Sequence, residues 1–269
     1  MPVKKIEEHI DYTGESTYTT VKTSIKPPKK LLRPVGRAIV DYQMIEEGDR
    51  LLLGLSGGKD SLSLLHLLHH LKNYAPVRFN LVVATVDPGI EGFDPSPLKA
   101  YLAGLGIDYF YRKQAIAEQA EENMRRDSFC AYCSRMRRGI LYSTARKNNC
   151  NKLVLAQHLD DLAESFMMSS FFGGSLRTMK ASYTIDAGDL QVIRPLVYVR
   201  ERQLTKFAEA AELPVIVDNC PACFSKPTQR EHMKQLLAQE EKVNPNLFAN
   251  LLHAMRPLMG NSRGKANYK

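Results

Sequence analysis

The chain has 269 residues, 44% of them hydrophobic, with 37 Lys and Arg against 29 Asp and Glu for a formal charge of +8. That is enough to bury a sizeable core, in one large α/β domain or a domain with extensions, and the positive balance favours an anionic partner, nucleic acid first. No apolar run reaches the roughly 18 residues of a membrane span and no apolar signal region opens the chain, so we expect a cytoplasmic protein with no membrane partner, whose five cysteines serve as thiols or metal ligands.

Residues 1–30 are polar, Thr-rich from Tyr18 to Thr23, and close on Lys26-Pro27-Pro28-Lys29-Lys30; they read as an extension and linker with a short β-hairpin. Leu31 to Met44 reads as an amphipathic helix carrying Arg33 and Arg37, and Glu47-Gly48-Asp49 turns into a first strand. Leu51, Leu52, Leu53 and Leu55 fit a buried parallel strand. The run breaks into Ser56-Gly57-Gly58-Lys59-Asp60-Ser61, after which Leu62, Leu65, Leu68 and Leu71 recur near a helical period. Strand, glycine loop and helix gather backbone N–H groups and a helix N-terminus at one point, which makes an anion site. The glycines admit a phosphate to the backbone, and Lys59 adds a mobile charge. The common phosphate loop has four residues between its glycines and Ser or Thr directly after Lys; here Asp60 follows Lys59. The hexapeptide resembles instead the pyrophosphate loop of ATP pyrophosphatases, which split ATP between its α- and β-phosphates and adenylylate a substrate. His66, His69 and His70 share the following helix without cysteine partners and read as surface residues.

Phe79 to Val86 reads as a second strand ending at Asp87-Pro88-Gly89, at the strand end where ligands bind in open α/β sheets. Residues 95–105 suggest a helix, and Ile107 to Tyr111, Lys152 to Ala156 and Val192 to Pro195 further strands. This alternation predicts an α/β fold with a doubly wound parallel sheet. Helical segments around Met233 to Gln239 and Leu247 to Met255 follow, with a basic tail. The expected division is 1–30 as extension and linker, 31–225 as the nucleotide domain, and 226–269 as C-terminal helices and tail.

Cys130-Ala131-Tyr132-Cys133 and Cys220-Pro221-Ala222-Cys223 are ligand pairs at two-residue spacing. Their separation does not fit a compact zinc ribbon, whose pairs lie about 15–20 residues apart. It allows a site built across the fold, and structural zinc, an iron–sulfur cluster and redox dithiols all remain open at this point. Cys150 reads as a packing residue. Arg135, Arg137 and Arg138 follow the first pair and either hold phosphates of a nucleotide or RNA, or form a solvated helix face. His158 and the acids Asp160 and Asp161 open a helix after a strand. His158 can donate to a phosphate and a carboxylate here can hold Mg²⁺ or move a proton, although acids favour any helix start on dipole grounds.

Together these motifs resemble the tRNA 2-thiocytidine synthetase family, within the iron–sulfur-dependent tRNA thiolation enzymes. The match runs from about Leu31 to Met259 and includes Met44 to Arg50, Ser56 to Ser61, Cys130 to Tyr142, His158 to Asp161, Phe172-Gly173-Gly174, Ile193 to Leu196 and Cys220 to Arg230. The resemblance implies an adenine nucleotide alpha hydrolase-like fold and an enzyme that uses ATP to adenylylate the C2 oxygen of a tRNA pyrimidine, then replaces that oxygen with sulfur. It places ATP at Ser56, Gly57, Gly58, Lys59, Asp60, Ser61, Asp87, His158 and Asp161, and a three-cysteine [4Fe–4S] cluster on Cys130, Cys133 and Cys223, leaving Cys220 spare. Asp161 and Arg137 fall at positions with catalytic roles in related thiouridine enzymes, where the second is a lysine; Lys59 joins them here. An arginine does not deprotonate, so Arg137 is limited to stabilising charge. Arg135, Arg137 and Arg138 are the expected tRNA contacts. Mg²⁺, tRNA and a sulfur donor such as a cysteine desulfurase or free sulfide complete the expected set, with a homodimer left open. The terminal zinc ribbons of the 2-thiouridine branch are absent, which favours cytidine over uridine. The alternatives are a 2-thiouridine synthetase, an amidotransferase or ligase with structural zinc, and a non-enzymatic RNA-binding module.

Overall fold

The computed structural model describes residues 25–90, 92–123, 129–216 and 228–260. The hairpin expected in the extension and the second cysteine pair lie outside the described residues. A six-stranded sheet forms the centre, in the order β3-β2-β1-β4-β6-β5. Its strands are β1 (Arg50–Gly54), β2 (Asn80–Asp87), β3 (Tyr109–Lys113), β4 (Lys152–Val154), β5 (Ser182–Thr184) and β6 (Gln191–Ile193). All neighbours pair in parallel except β5 with β6. The sheet is therefore mixed rather than wholly parallel. The antiparallel edge strand was not legible because Ser182, Tyr183 and Thr184 carry neither an apolar run nor a clear alternation.

β1 takes the middle because consecutive leucines suit a strand covered on both faces. Leu51, Leu53 and Leu55 pack into one core, and Leu52 joins a second core with Val82, Ala84, Leu153 and Val192. The first face carries α1 (Lys29–Asp41), α2 (Lys59–Tyr74), α3 (Ser96–Gly104), α6 (Leu159–Gly173) and α7 (Glu201–Ala210). The C-terminal helices α8 (Gln229–Val243) and α9 (Leu247–Met259) bury Leu237, Phe248, Met255 and Met259 in that same core. The second face carries α4 (Ile116–Asn123) and α5 (Phe129–Lys147). Among the described residues, no helix is long and apolar enough to cross a membrane.

One expectation is corrected here. His66 is buried, not superficial: its Nε2 lies 2.7 Å from the Tyr101 hydroxyl, and its ring meets Tyr101 and Phe207 edge-on. α3 and α7 close over α2 from both sides, so its buried arc is wider than one amphipathic stripe. Burial, aided by His69, lowers the His66 pKa to about 4. His69 and His70 are partly buried. Cys150 is buried, in keeping with a packing role.

At the N-terminal edge of the strands Asp49 gathers its neighbours. Its Oδ2 lies 2.9 Å from Lys152 Nζ and accepts from the Glu46 N–H at 2.7 Å, while Oδ1 accepts from Asn151 Nδ2 at 2.7 Å. Both side chains of the Asp49–Lys152 pair are about 95% buried, since only 5% and 4% of their surfaces remain exposed. Removing one partner strands the other charge, which typically costs about 3–5 kcal/mol, whereas removing both is far cheaper. Asp49→Ala should therefore lower the unfolding free energy read from urea melts by that amount, as a shifted midpoint at unchanged slope, and Asp49→Ala with Lys152→Met should recover most of it. Equal loss in single and double variants would show that the pair does not set this edge.

Candidate active site

At the opposite, C-terminal edge, β1 runs into the loop Ser56 to Ser61. Gly57 sits at φ +87°, and a β-carbon there would lie 3.0 Å from the Ile216 side chain, so both conformation and space demand glycine. The two serines brace the loop. Ser61 Oγ accepts from the Ser56 N–H at 3.2 Å and donates to the Gly58 carbonyl at 2.9 Å, and the Gly58 N–H donates to Ser56 Oγ at 3.3 Å. Gly58 is the N-cap of α2 and offers no side chain to its first turn. The N–H groups there remain directed at an incoming anion, with the positive end of the helix dipole behind them.

A second helix N-terminus faces the same edge but is closed. His158 caps α6: its N–H donates to Asp161 Oδ2 at 2.9 Å, and Nδ1 accepts from the Asp161 N–H at 3.4 Å. With Nδ1 accepting, the ring proton sits on Nε2, which lies 3.7 Å from Asp60 Oδ2. Asp60 Oδ1 is buried without a hydrogen-bond partner among the described residues. Burial raises the Asp60 pKa, outweighing the opposing charges of His158 and Lys59.

Lys59 donates to Glu201 Oε1 at 2.9 Å and to Asp60 Oδ2 at 3.1 Å. Burial pulls its pKa down, but the Glu201 hydrogen bond and the charges of Asp60 and Glu201 together carry it above the usual lysine value. The other oxygen of Glu201 lies 2.8 Å from Lys234 Nζ on α8. Burial pushes Glu201 up, yet its two lysine partners hold it at about 2. The Glu201 N–H donates to Asp160 Oδ2 at 2.7 Å, and Arg200 reaches Asp160 at 3.1 Å and Glu241 at 2.6 and 2.9 Å. None of Asp160, Glu201, Lys234 or Glu241 stood out in the sequence as a partner of the loop. An acid at a helix start looks like ordinary dipole pairing, and no spacing links Lys59 to residues so distant in the chain.

Asp87 ends β2 beside the loop, since Thr85 donates to the Leu55 carbonyl at 2.8 Å. Both its oxygens are engaged, one by the Gly89 N–H at 2.7 Å and the other by the Tyr111 hydroxyl. Arg135, Arg137 and Arg138 lie on α5, across the sheet from α2. Arg135 is exposed, Arg137 and Arg138 are half-buried, and Arg137 Nε is buried with no hydrogen-bond partner among the described residues. Cys133 is buried on the same helix, packed with the second core. Cys130 belongs to α5 but its side chain, like Cys220 and Cys223, lies outside the described residues. The structure thus brings the loop, His158 and Asp161 together, with Asp87 on the adjoining strand. Among the described residues no three His, Cys, Asp or Glu side chains cluster as metal ligands.

Residues 29–241 match the PP-loop domain family. The chain is 41% identical over 228 residues to the tRNA-cytidine(32) 2-sulfurtransferase of Geobacter sulfurreducens, covering 84% of this chain and 89% of that protein. It is 43% identical over 222 residues to that of Geotalea uraniireducens, covering 82% and 88%. The chain belongs to the tRNA-cytidine 2-sulfurtransferase family of PP-loop proteins. Its PP-loop fold is shared with the U34-tRNA thiolase NcsA from Methanococcus maripaludis, a structure with a [4Fe-4S] cluster, at a TM-score of 0.73 and 24% identity over 89% of this chain and 80% of that one.

Glu164, one turn beyond Asp160 on α6 of this PP-loop domain, is buried and lies 3.2 Å from Arg230 on α8. Burial, opposed by Arg230 and reinforced by the charge of Asp161, lifts its pKa from 4.5 to about 7. An unfolded chain ionises this group near 4.5 while the folded protein resists until about 7. Stability from this site is therefore fully present below the lower value and falls as pH rises through the interval, by roughly 2–4 kcal/mol. Glu164→Gln should remove that loss, so the stability of the variant relative to the parent rises between pH 5 and pH 8 in urea melts. A difference that does not vary with pH would sink this assignment.

Proposed function

We propose that this protein is an ATP-dependent enzyme that converts a tRNA cytidine, at position 32 as in its relatives' name, to 2-thiocytidine. One observation carries the reading beyond family membership: both flanks of the second cysteine pair are tied to the phosphate loop. On one side the Ile216 N–H donates to the Gly57 carbonyl at 2.9 Å. On the other, α8 begins at Gln229 and its Lys234 shares Glu201 with Lys59. The described residues on either side of that pair thereby lie beside the nucleotide loop, which supports a reaction joining ATP to sulfur transfer.

The arrangement supports the following roles. The uncapped start of α2 receives the ATP phosphates, and Lys59 exchanges Glu201 for a phosphate oxygen. His158 Nε2 offers a donor beside Asp60. The cytidine C2 oxygen attacks the α-phosphorus and pyrophosphate leaves. Sulfur then bonds to C2 as the C2–O bond breaks and AMP departs. Arg137, always cationic, holds negative charge during these steps. Asp161 provides a carboxylate for a proton or for Mg²⁺. The partnerless Asp60 Oδ1 is also a hard oxygen donor of the kind Mg²⁺ takes, one or two carboxylates sufficing when substrate phosphates complete the shell. The buried thiol of Cys133 fits a soft metal site. Cys130, Cys133 and Cys223 would hold a [4Fe–4S] cluster, which when bound supplies the sulfur. tRNA and a cytoplasmic sulfur source, a cysteine desulfurase or free sulfide, are the partners this reading requires, and self-association into a homodimer is compatible with it.

Two experiments test it. Lys59→Ala and Asp60→Ala should cut ATP-dependent 2-thiocytidine formation roughly 30- to 1000-fold, the effect of losing charge-assisted phosphate contacts, at unchanged iron content. Nucleoside mass spectrometry is the readout. Thiouridine in place of thiocytidine, or a colourless zinc-loaded protein, would overturn the reading. The cysteines give the second test. Four thiolates would close the site, as in a structural zinc centre, and leave no iron free for sulfur. Cys223→Ser should lose iron and sulfide after anaerobic reconstitution while Cys220→Ser keeps them; equal loss in both would mean four-cysteine ligation.

A further inference from the structure

Three arginines that the ATP chemistry does not use gather around one cavity. Arg33 and Arg37 on α1 and Arg256 on α9 line a cavity of about 320 Å³ together with Pro34, Tyr198 and Leu252. The guanidinium carbons of Arg37 and Arg256 lie 5.8 and 5.5 Å from the centroid of the Tyr198 ring. Asp41 is the carboxylate at this wall; it accepts from the Tyr198 hydroxyl at 2.9 Å and lies 3.6 Å from Arg37 Nε. Arg33 and Arg256 form no ion pair among the described residues. Arg256 Nε is buried without a hydrogen-bond partner among them.

Each feature is unfavourable in an empty pocket. Like charges four residues apart on a helix repel, two guanidinium groups crowd the Tyr198 ring, and a buried donor on a cation has lost water without gaining an acceptor. A bound oxyanion offsets all of them at once, since the guanidinium fork matches phosphate geometry. A plain solvated helix face explains exposed Arg33 and Arg37 but not the buried, partnerless Arg256 Nε.

The place of the pocket selects the anion. Tyr198 stands three residues before Glu201, a span of at most ~10 Å. The intervening Val199 carbonyl accepts from the Leu159 N–H at 2.9 Å, next to His158. The pocket therefore adjoins the candidate active site on the edge where a bound nucleotide of a larger polyanion would lie. We propose that Arg33, Arg37 and Arg256 bind a backbone phosphate of the tRNA substrate close to the modified nucleotide. The pocket thus rests on the tRNA reading above and gives it a contact surface on the face opposite α5.

The test compares the parent with the triple variant Arg33→Gln, Arg37→Gln, Arg256→Gln, using fluorescence anisotropy with labelled tRNA across a salt series and calorimetry with ATP. The triple variant should bind tRNA about tenfold or more weakly at low salt, and the slope of log affinity against log salt should flatten by about 1 or more. ATP affinity should be unchanged. Unaltered tRNA affinity and slope, in a parent that binds tRNA, would remove the pocket while leaving the proposed function standing. Parallel loss of ATP affinity would assign the pocket to free nucleotide phosphate and overturn its assignment to RNA. A parent that does not bind tRNA at all would bring down the functional reading and the pocket together. Should the triple variant fold poorly, Arg33→Gln alone, at an exposed position, should still weaken tRNA binding several-fold, and no change would count against the pocket.

Discussion

The Glu201 carboxylate holds the active edge of this molecule together. It accepts from Lys59 of the phosphate loop and from Lys234 of α8, and its own N–H is fixed by Asp160 at the start of α6. Three segments remote in the chain thereby meet at one ionised group, kept charged by its two lysines despite being largely out of water. The cost of burying a carboxylate is met by this double pairing. The same pairing keeps Lys59 partly buried beside the uncapped helix, so in the phosphate-binding role proposed for it one anion would replace another. Lys234 would then keep Glu201 paired.

The two edges of the sheet solve opposite problems. At the N-terminal edge Asp49 and Lys152 are almost wholly buried as an ion pair 2.9 Å apart, with the remaining oxygen of Asp49 taken by Asn151. At the C-terminal edge the loop leaves groups wanting: Asp60 Oδ1 is buried without a hydrogen-bond partner among the described residues, and Gly58 leaves the first turn of α2 uncapped. Unsatisfied donors and acceptors cost stability wherever they are buried. An unpartnered carboxylate oxygen beside an uncapped helix start fits a site whose missing partners are ligands, and the ion pair at the N-terminal edge offsets part of that cost.

How much of this was legible in the sequence follows from how local each constraint is. The loop Ser56 to Ser61 could be read directly, because a positive φ at Gly57, a side-chain-free cap at Gly58 and the serine brace are all set by adjacent residues. The mostly parallel α/β sheet was likewise legible from apolar runs alternating with helical periods, though its strand order and antiparallel edge were not. His66 was misread because its burial depends on α3 and α7, which arrive from elsewhere in the chain. Glu201, Lys234 and Glu164 escaped for the same reason. Each is an unremarkable charge in its own helix, and only the packing of separate helices, α7 with α2 and α8 with α6, gives it a partner. The arginine pocket combines both cases: Arg33 and Arg37 are visible as a helical pair, but Tyr198, ahead of α7, and Arg256, on α9, come from distant parts of the chain.

That division has a consequence for how the parts depend on each other. The phosphate loop needs little beyond its own residues and β1, so its shape survives changes far away. Its electrostatic setting does not: the partner of Lys59 is presented by α7, whose N-cap Arg200 places its guanidinium between Asp160 and Glu241 and over the Phe248 ring. The C-terminal helices therefore supply the electrostatic setting of the loop without touching it. The chain entering α8 also carries the second cysteine pair, and the chain entering α7 carries Tyr198 of the arginine pocket. Nucleotide loop and arginine pocket thus share one structural support. Packing of α8 and α9 against α6 holds the two in one arrangement, as the proposed reaction needs when the oxygen it activates belongs to a bound RNA.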